Sequence, residues 1–192
     1  MPANDDGGNM NVIEALIDHH ATLRQLYRQA EANPALIDTF IQHLIVHHTM
    51  EEKYFYDLLE GFEQAEHEAL EAVNEHHIIE MIIKDLEGFP RDHRNFPIKI
   101  EGLGEYTVHH LDEEEEEIFP LAAQFFESKD LDSLGVLFEE AKKTLLGVSL
   151  PDLPKALAAM IPIREQVTET GSSRPESRGT DVAIGLGIGG LR

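Results

Sequence analysis

Four long segments of this chain place an apolar residue at every third or fourth position, and short breaks containing Gly, Pro or Asn separate them. This spacing predicts amphipathic helices, each with one apolar stripe that must be buried. Because short connections between long helices favour antiparallel neighbours, we predict an all-α fold, an up-down-up-down four-helix bundle over residues 9–128. The four helices are predicted at about residues 9–31, 34–60, 64–87 and 97–127.

The second predicted helix carries polar residues in the middle of its apolar stripe. The stripe reads Ile37, Phe40, Leu44, His47, Glu51, Tyr54 and Leu58. His47 and Glu51 occupy positions that leucine would take in an ordinary bundle. Since a buried glutamate without a partner is costly, this pattern indicates a function rather than packing alone.

A histidine lies near the middle of the apolar stripe in each predicted helix. These histidines are His19, His47, His76 and His110. Because an α-helix rises about 1.5 Å per residue, the midpoints of four antiparallel helices lie at nearly the same height. We therefore expect the four imidazoles to converge in the bundle core.

Glutamates follow three of these histidines by four positions, which places each pair on one helix face. The pairs are His47–Glu51, His76–Glu80 and His110–Glu114. Buried carboxylates beside four imidazoles require cations, so the sequence predicts that these seven residues form a metal site. Since the chain has no cysteine, the donors are imidazole and carboxylate, which suits iron, manganese or zinc.

The doubled histidines leave the choice of ligand open in each helix. The four histidines named above are favoured as ligands because they are in register with the apolar stripe of their helix. Their neighbouring histidines are expected beside the ligands or on the surface. His67 and Glu71 also have the spacing of four, but they fall about half a turn away from His76. That pair is expected to face solvent.

Three further side chains are expected to support the site. His43 precedes His47 by one helical turn, and Tyr54 and Tyr106 offer hydroxyl donors. In the acidic run 113–117, the helical spacing predicts that Glu114 faces the core and that the other glutamates face solvent. For Glu117 the spacing is compatible with either direction.

The four helices resemble, in order, the motifs of the hemerythrin-like HHE cation-binding family over about residues 10–126. The matching stretches are LIDHHATLRQLY, VHHTMEEKYFYDLL, NEHHIIEMIIKDL and VHHLDEEEEEIFPLA. The resemblance implies two iron ions, with terminal ligands His19, His47, His76 and His110 and bridging ligands Glu51 and Glu114. Glu80 stands where oxygen-carrying hemerythrins have a second histidine in the third helix. It is a possible seventh ligand, and the more anionic donor set would favour ferric iron and leave room for redox chemistry.

Beyond the bundle the composition changes twice. We predict accessory helices within 129–164 (at about 131–146 and 153–163), a flexible linker over 165–181 and an apolar, glycine-rich tail over 182–192. Residues 1–8 are expected to be a disordered lead-in. The tail ends in LGIGGLR, which resembles the peptide that addresses cargo proteins to encapsulin shells. This implies shell contacts through Leu186, Gly187, Ile188, Gly189 and Leu191; the alternative is a frayed terminus.

Net charge and missing motifs argue against other classes of function. The formal net charge of -22 disfavours binding to nucleic acid or to an anionic membrane surface. No glutamate stands three residues before a histidine, as ferritin-like bundles require. The N-terminus lacks the features of a signal peptide, and no apolar run approaches about 18 residues. A cytoplasmic location is therefore expected.

We expect a di-iron protein that reacts with O2, peroxide or nitric oxide, limits oxidative or nitrosative damage, and resides in an encapsulin compartment. The alternatives are reversible oxygen binding or sensing, iron storage, and a structural adaptor that binds no metal. The sequence leaves open whether the protein turns over a substrate.

Overall fold

The structure is a computed structural model that describes residues 10–159. Within these residues every regular element is helical, and the four-helix bundle with short C-terminal helices is confirmed. The helices are α1 (Val12–Ala32), α2 (Ile37–Glu51), α3 (Glu66–Glu87), α4 (Phe96–Glu113), α5 (Ser128–Leu146) and α6 (Leu153–Ala158). None of them is long and apolar enough to cross a membrane. The predicted lead-in, linker and tail, and the end of the second accessory helix, lie outside the described residues.

Short polar residues fix where the first two helices begin. Asn11 and Glu14 form a capping box at the start of α1, in which each side chain accepts a hydrogen bond from the other's backbone N–H. Asn33 caps a 3-10 turn, Pro34–Leu36, that leads directly into α2. These caps fix the residues at which α1 and α2 begin, and with them the distance of their histidines from the helix start.

Both helices that carry the predicted bridging glutamates contain a wider turn next to the glutamate. They continue in the π conformation over Glu52–Tyr56 and Glu114–Ile118, and then as α-helix over Asp57–Leu59 and Phe119–Ala122. The N–H of Asp57 bonds to the carbonyl of Glu52, five residues earlier, and the N–H of Phe119 bonds to that of Glu114. Single π turns inside α-helices are frequent at functional sites.

Each wide turn shifts the buried face of its helix relative to uninterrupted α-helical phase. Beyond Glu51 the apolar stripe predicted Tyr54 and Leu58 as core residues. The structure instead buries Phe55, Tyr56 and Leu59 fully, and leaves Tyr54 and Leu58 partly exposed. The π turn is therefore what brings Tyr56 to the inner face.

Two apolar clusters fill the core on either side of a polar layer. In α1, Leu16 belongs to one cluster and Leu23 to the other, and His19 and His20 lie between them in sequence. The bundle is thus held together by apolar packing at both ends. The histidine layer between the clusters is shielded from bulk water.

The accessory helix α5 packs against α1 and α2. Gly135 permits this approach, because a Cβ atom at that position would lie 2.1 Å from the carbonyl oxygen of Met10. Phe138 is fully buried, and its ring lies 6.2 Å from that of His19 and 6.5 Å from that of His47. Helix α5 therefore covers one side of the histidine layer.

Candidate metal centre

Six buried side chains bring their nitrogen and oxygen atoms together between the two apolar clusters. They form two groups of four residues, and the candidate ligand atoms within each group lie within 4.8 Å of one another. The first position consists of His20, His47, Glu51 and Glu114, and the second position of His76, His110, Glu51 and Glu114. The two glutamates belong to both groups, as carboxylates that bridge two ions do.

The first position joins α1 to α2. The Nε2 atoms of His20 and His47 are 3.1 Å apart. Each nitrogen also lies 3.3 Å from a carboxylate oxygen, His20 from Glu114 Oε2 and His47 from Glu51 Oε2. Two ligands at right angles, each about 2.1 Å from an ion, are about 3.0 Å apart. The two nitrogens therefore have the separation of neighbouring metal ligands.

The second position joins α3 to α4. The Nε2 atoms of His76 and His110 are 2.9 Å apart, and that of His110 lies 3.1 Å from Glu114 Oε1. The ring of His48 stacks on that of His76 with the centroids 3.9 Å apart. His48, His76 and His110 form a third group with metal-ligand spacing, so His48 is a candidate third imidazole for this position.

Several polar atoms of the centre have no hydrogen-bond partner among the described residues. They are both carboxylate oxygens of Glu51, Oε2 of Glu114, Nδ1 of His47 and both ring nitrogens of His48. An unsatisfied buried polar group costs about 1–3 kcal/mol, and a charged one costs more. Metal cations would remove this cost, so the residues present fit a pair of metal ions.

Burial keeps most of the imidazoles neutral. It lowers the pKa of His47, His48 and His76 well below the ordinary value, so their nitrogens keep lone pairs for a metal. Burial and the charge of Glu114 raise the pKa of Glu51 well above that of an ordinary glutamate. In the metal-free centre these effects favour the protonated form of Glu51.

Glu114 carries the negative charge of the metal-free centre. Burial acts to raise its pKa, but the neighbouring imidazoles of His110 and His20 hold the pKa well below the usual range. Against the opposing effect of burial, the same pairing with Glu114 raises the pKa of His110 to about 9, and the carboxylates of Glu114 and Glu115 raise the pKa of His20. These protons occupy the nitrogens that a metal ion would need.

Three of the histidines hold their other ring nitrogen against a carboxylate outside the centre. The Nδ1–oxygen distances are 2.9 Å for His20 and Glu115, 2.9 Å for His76 and Glu52, and 2.7 Å for His110 and Glu75. An Nδ1–H that donates to a carboxylate leaves Nε2 free to bind a metal and makes it more basic. All three Nε2 atoms face the centre.

Two aromatic residues border the glutamates, each five positions after one of them. The hydroxyl of Tyr56 donates to Glu114 Oε1 over 2.6 Å. The ring of Phe119 stacks on His20 with the centroids 5.4 Å apart. One bridging carboxylate is thus held by a hydroxyl, and one histidine by an apolar ring.

A family model described as the hemerythrin HHE cation binding domain matches residues 11–122, more than half of the chain. The chain belongs to this hemerythrin family. No curated protein and no solved structure gives a significant match. The matched residues contain α1 to α4 and both positions, so the hemerythrin domain is a helical, metal-binding bundle. Helices α5 and α6 lie outside the match.

The structure brings five of the seven predicted ligand residues together. They are His47, Glu51, His76, His110 and Glu114. The prediction for Glu80 is corrected: its side chain is 44% exposed and pairs with Lys84 at 3.6 Å. The buried residues of α3 after His76 are Ile79 and Ile83, three and then four positions further on. Glu80 therefore lies next to the buried face and not on it.

His19 also lies outside the two groups, and His20 takes the expected place. His19 is buried, but its Nε2 lies 3.2 Å from Nδ1 of His43. His19 and His20 fit the same stripe, since both are three or four residues from Leu16 and from Leu23. Phase alone could not separate them. His43, which was expected to support the site, contacts His19 and not one of the six residues of the centre.

Sequence reasoning also missed Tyr56 and Glu115. Of the tyrosines it favoured, Tyr54 lines a surface groove beside α5 and Tyr106 is 38% exposed. Glu117 is exposed as well. One sequence signal could have found two of the three carboxylates that contact the ligand histidines from outside: each bridging glutamate is followed directly by a second glutamate, which reaches a histidine of another helix.

Proposed function

We propose that this chain holds two iron ions, one at the first position and one at the second, with Glu51 and Glu114 bridging them. The observation that carries the proposal is that two groups of buried imidazoles share two buried glutamates whose oxygens are largely unpaired. Imidazole and carboxylate donors suit iron. In this assignment His20 replaces His19, His48 is a further candidate ligand, and Glu80 is not a ligand.

We propose that the centre reacts with O2, peroxide or nitric oxide. Bound iron would supply the redox chemistry, which is electron exchange with a small oxidant. The first position offers two imidazoles and two shared carboxylates, so an ion there would keep room for a small molecule. Phe119 stacks on His20, and Phe138 lies against His47. These apolar rings shield the histidines of the first position from water.

The negative charge around the ligand histidines favours redox turnover over reversible oxygen carriage. Glu80 lies outside the centre and adds no charge to it. Glu52, Glu75 and Glu115 instead place three carboxylates against ligand imidazoles. Negative charge on that side of the rings stabilises a ferric ion more than a ferrous one.

Metal analysis combined with an anaerobic-to-aerobic absorption spectrum of the purified protein tests this proposal. We expect two iron ions per chain and a spectral change on adding O2, peroxide or nitric oxide that consumes the added molecule. A band that appears with O2 and bleaches fully on evacuation would favour reversible binding or sensing. Iron far in excess of two per chain would favour storage.

Treatment with a chelator distinguishes a metal-binding protein from a structural adaptor that binds no metal. An ion that binds only the folded chain stabilises it by about 2.7 kcal/mol at a free concentration one hundred times the dissociation constant. Removal of iron should therefore lower the midpoint of thermal unfolding. An unchanged midpoint, with no iron bound, would contradict the di-iron proposal and favour a structural adaptor.

We further propose that the protein is cargo of an encapsulin compartment in the cytoplasm, where it limits oxidative or nitrosative damage. This part of the proposal is supported by the resemblance of LGIGGLR at residues 186–192 to a cargo-loading peptide. Many weak tail contacts in one shell would add up through multivalency. Deletion of residues 182–192 should abolish co-purification with shells, and persistent co-purification would contradict the proposal.

A further inference from the structure

The centre has an approximate internal two-fold relation between the helix pairs α1–α2 and α3–α4. His20 corresponds to His76, His47 to His110, and Glu51 to Glu114. The outer hydrogen bonds obey the same relation. His20 bonds to Glu115, which follows Glu114, and His76 bonds to Glu52, which follows Glu51.

This relation fails at one residue of each helix pair, the one that directly precedes His20 in α1 and His76 in α3. In α3 that residue is Glu75, which lies 2.7 Å from Nδ1 of His110. In α1 it is His19, which bonds to His43. Nδ1 of His47, the counterpart of His110, is buried without a hydrogen-bond partner. One of the two histidines at the first position therefore has no outer carboxylate.

The outer carboxylate that the first position does have is shared with a cation. Glu115 Oε1, which contacts His20, also lies 2.7 Å from a guanidinium nitrogen of Arg24. Among the described residues, neither Glu52 nor Glu75 forms an ion pair with a lysine or arginine. Those two carboxylates therefore contact the histidines of the second position without sharing an oxygen with a lysine or arginine.

From these contacts we propose that the two positions bind metal unequally, with the second position tight and the first position weaker and exchangeable. This inference rests on the proposed function, that the centre holds two ions. An outer carboxylate raises the basicity of an imidazole ligand and fixes its orientation, and its loss costs about 10–100-fold in metal affinity. The second position has two such carboxylates, and the first has one that Arg24 partly neutralises.

Anaerobic titration of the full-length, metal-free protein with Co²⁺ tests this inference. The visible absorption bands of bound Co²⁺ report each ion, and competition with a chelator gives the affinities. We expect two steps that differ by at least about 10-fold, and one ion retained per chain at a chelator concentration that removes the other.

Two matched variants identify which position corresponds to each step. E75Q should weaken the tight step about 10–100-fold and leave the weak step unchanged, whereas E115Q should weaken only the weak step. Both side chains are partly exposed, at 21% and 30%, so the variants should fold, which circular dichroism checks. Two steps of equal affinity, or a tight step that responds to E115Q and not to E75Q, would overturn this inference alone. Absence of any bound metal would overturn the proposed function itself.

Discussion

The hydroxyl of Tyr56 donates a hydrogen bond of 2.6 Å to Oε1 of Glu114, and both side chains are fully buried. Burial and the charge of Glu114 raise the pKa of Tyr56 well above the ordinary value, so the hydroxyl stays protonated. The tyrosine therefore acts as a fixed donor to one bridging carboxylate.

Tyr56→Phe should destabilise the metal-free protein by about 1.5–3 kcal/mol, because it removes a buried hydrogen bond to a charged group. Urea unfolding followed by circular dichroism measures this change. Tyr54→Phe is the control, since Tyr54 lies two residues away but faces a surface groove. Equal effects of the two substitutions would show that the Tyr56 hydroxyl has no special role.

His20→Ala should lower the iron content to about one ion per chain, because it removes one of the two imidazoles of the first position. His19→Ala and Glu80→Gln should keep two ions, since His19 bonds to His43 and Glu80 pairs with Lys84. Iron analysis of the three purified variants measures the difference. Loss of iron from His19→Ala with full iron in His20→Ala would contradict the site described here.

Metal binding should release protons and strengthen with rising pH. The pKa of His110 in the metal-free protein is raised to about 9, and those of His20 and Glu51 are raised as well. Below about pH 9 the metal-free state therefore holds protons that an ion must displace, so raising the pH favours the bound state. Zn²⁺ affinity should increase from about pH 7 to about pH 9, the range over which His110 loses its proton.

Zn²⁺ titrations in weak buffer with a pH indicator measure the protons released. His67→Gln should release as many protons as the natural chain, because the side chain of His67 is 82% exposed and belongs to none of the metal-ligand groups of the described residues. Affinity independent of pH over this range would show that these groups are not the ligands.

Gly135→Ala should destabilise the protein by about 1–3 kcal/mol, because the new methyl group would overlap the backbone of Met10 at the start of α1. Gly102→Ala is the matched control, since no heavy atom lies within 4 Å of its added Cβ. That control should be stabilised by about 0.5–1 kcal/mol, the ordinary gain from replacing glycine inside a helix. Thermal unfolding followed by circular dichroism compares the variants, and a harmless Gly135→Ala would mean that α5 does not pack closely on α1.

Much of the fold and part of the site could be predicted from the sequence because both depend on local spacing. The apolar stripes and the Asn, Pro and Gly breaks determine four amphipathic helices. The spacing of four in His47–Glu51 and His110–Glu114 places each pair on one helix face whatever the surroundings. These residues reach the centre as expected.

Helical phase could not choose between neighbouring residues that fit the same stripe. His19 and His20 are both buried, and only the packing of α1 against α2 and α4 decides that His20 meets Glu114. Glu80 satisfied the spacing from His76 but lies beside the buried face of α3. An apolar stripe covers about 100° of the helix surface, which is wide enough for two neighbouring residues, whereas a metal ligand must be placed to within a fraction of an ångström.

The amino-acid sequence by itself determined the bundle, the polar layer in its core and the pairing of histidine with glutamate, since these follow from residue type and helical spacing. Tertiary structure alone decided the phase beyond Glu51, because the π turn that follows this glutamate rotates the helix and replaces Tyr54 by Tyr56 at the centre. Pro120 hinted at the second turn, as its ring would collide with the carbonyl of Glu116 in a regular α-helix. No local rule revealed the first turn, which depends on packing between helices.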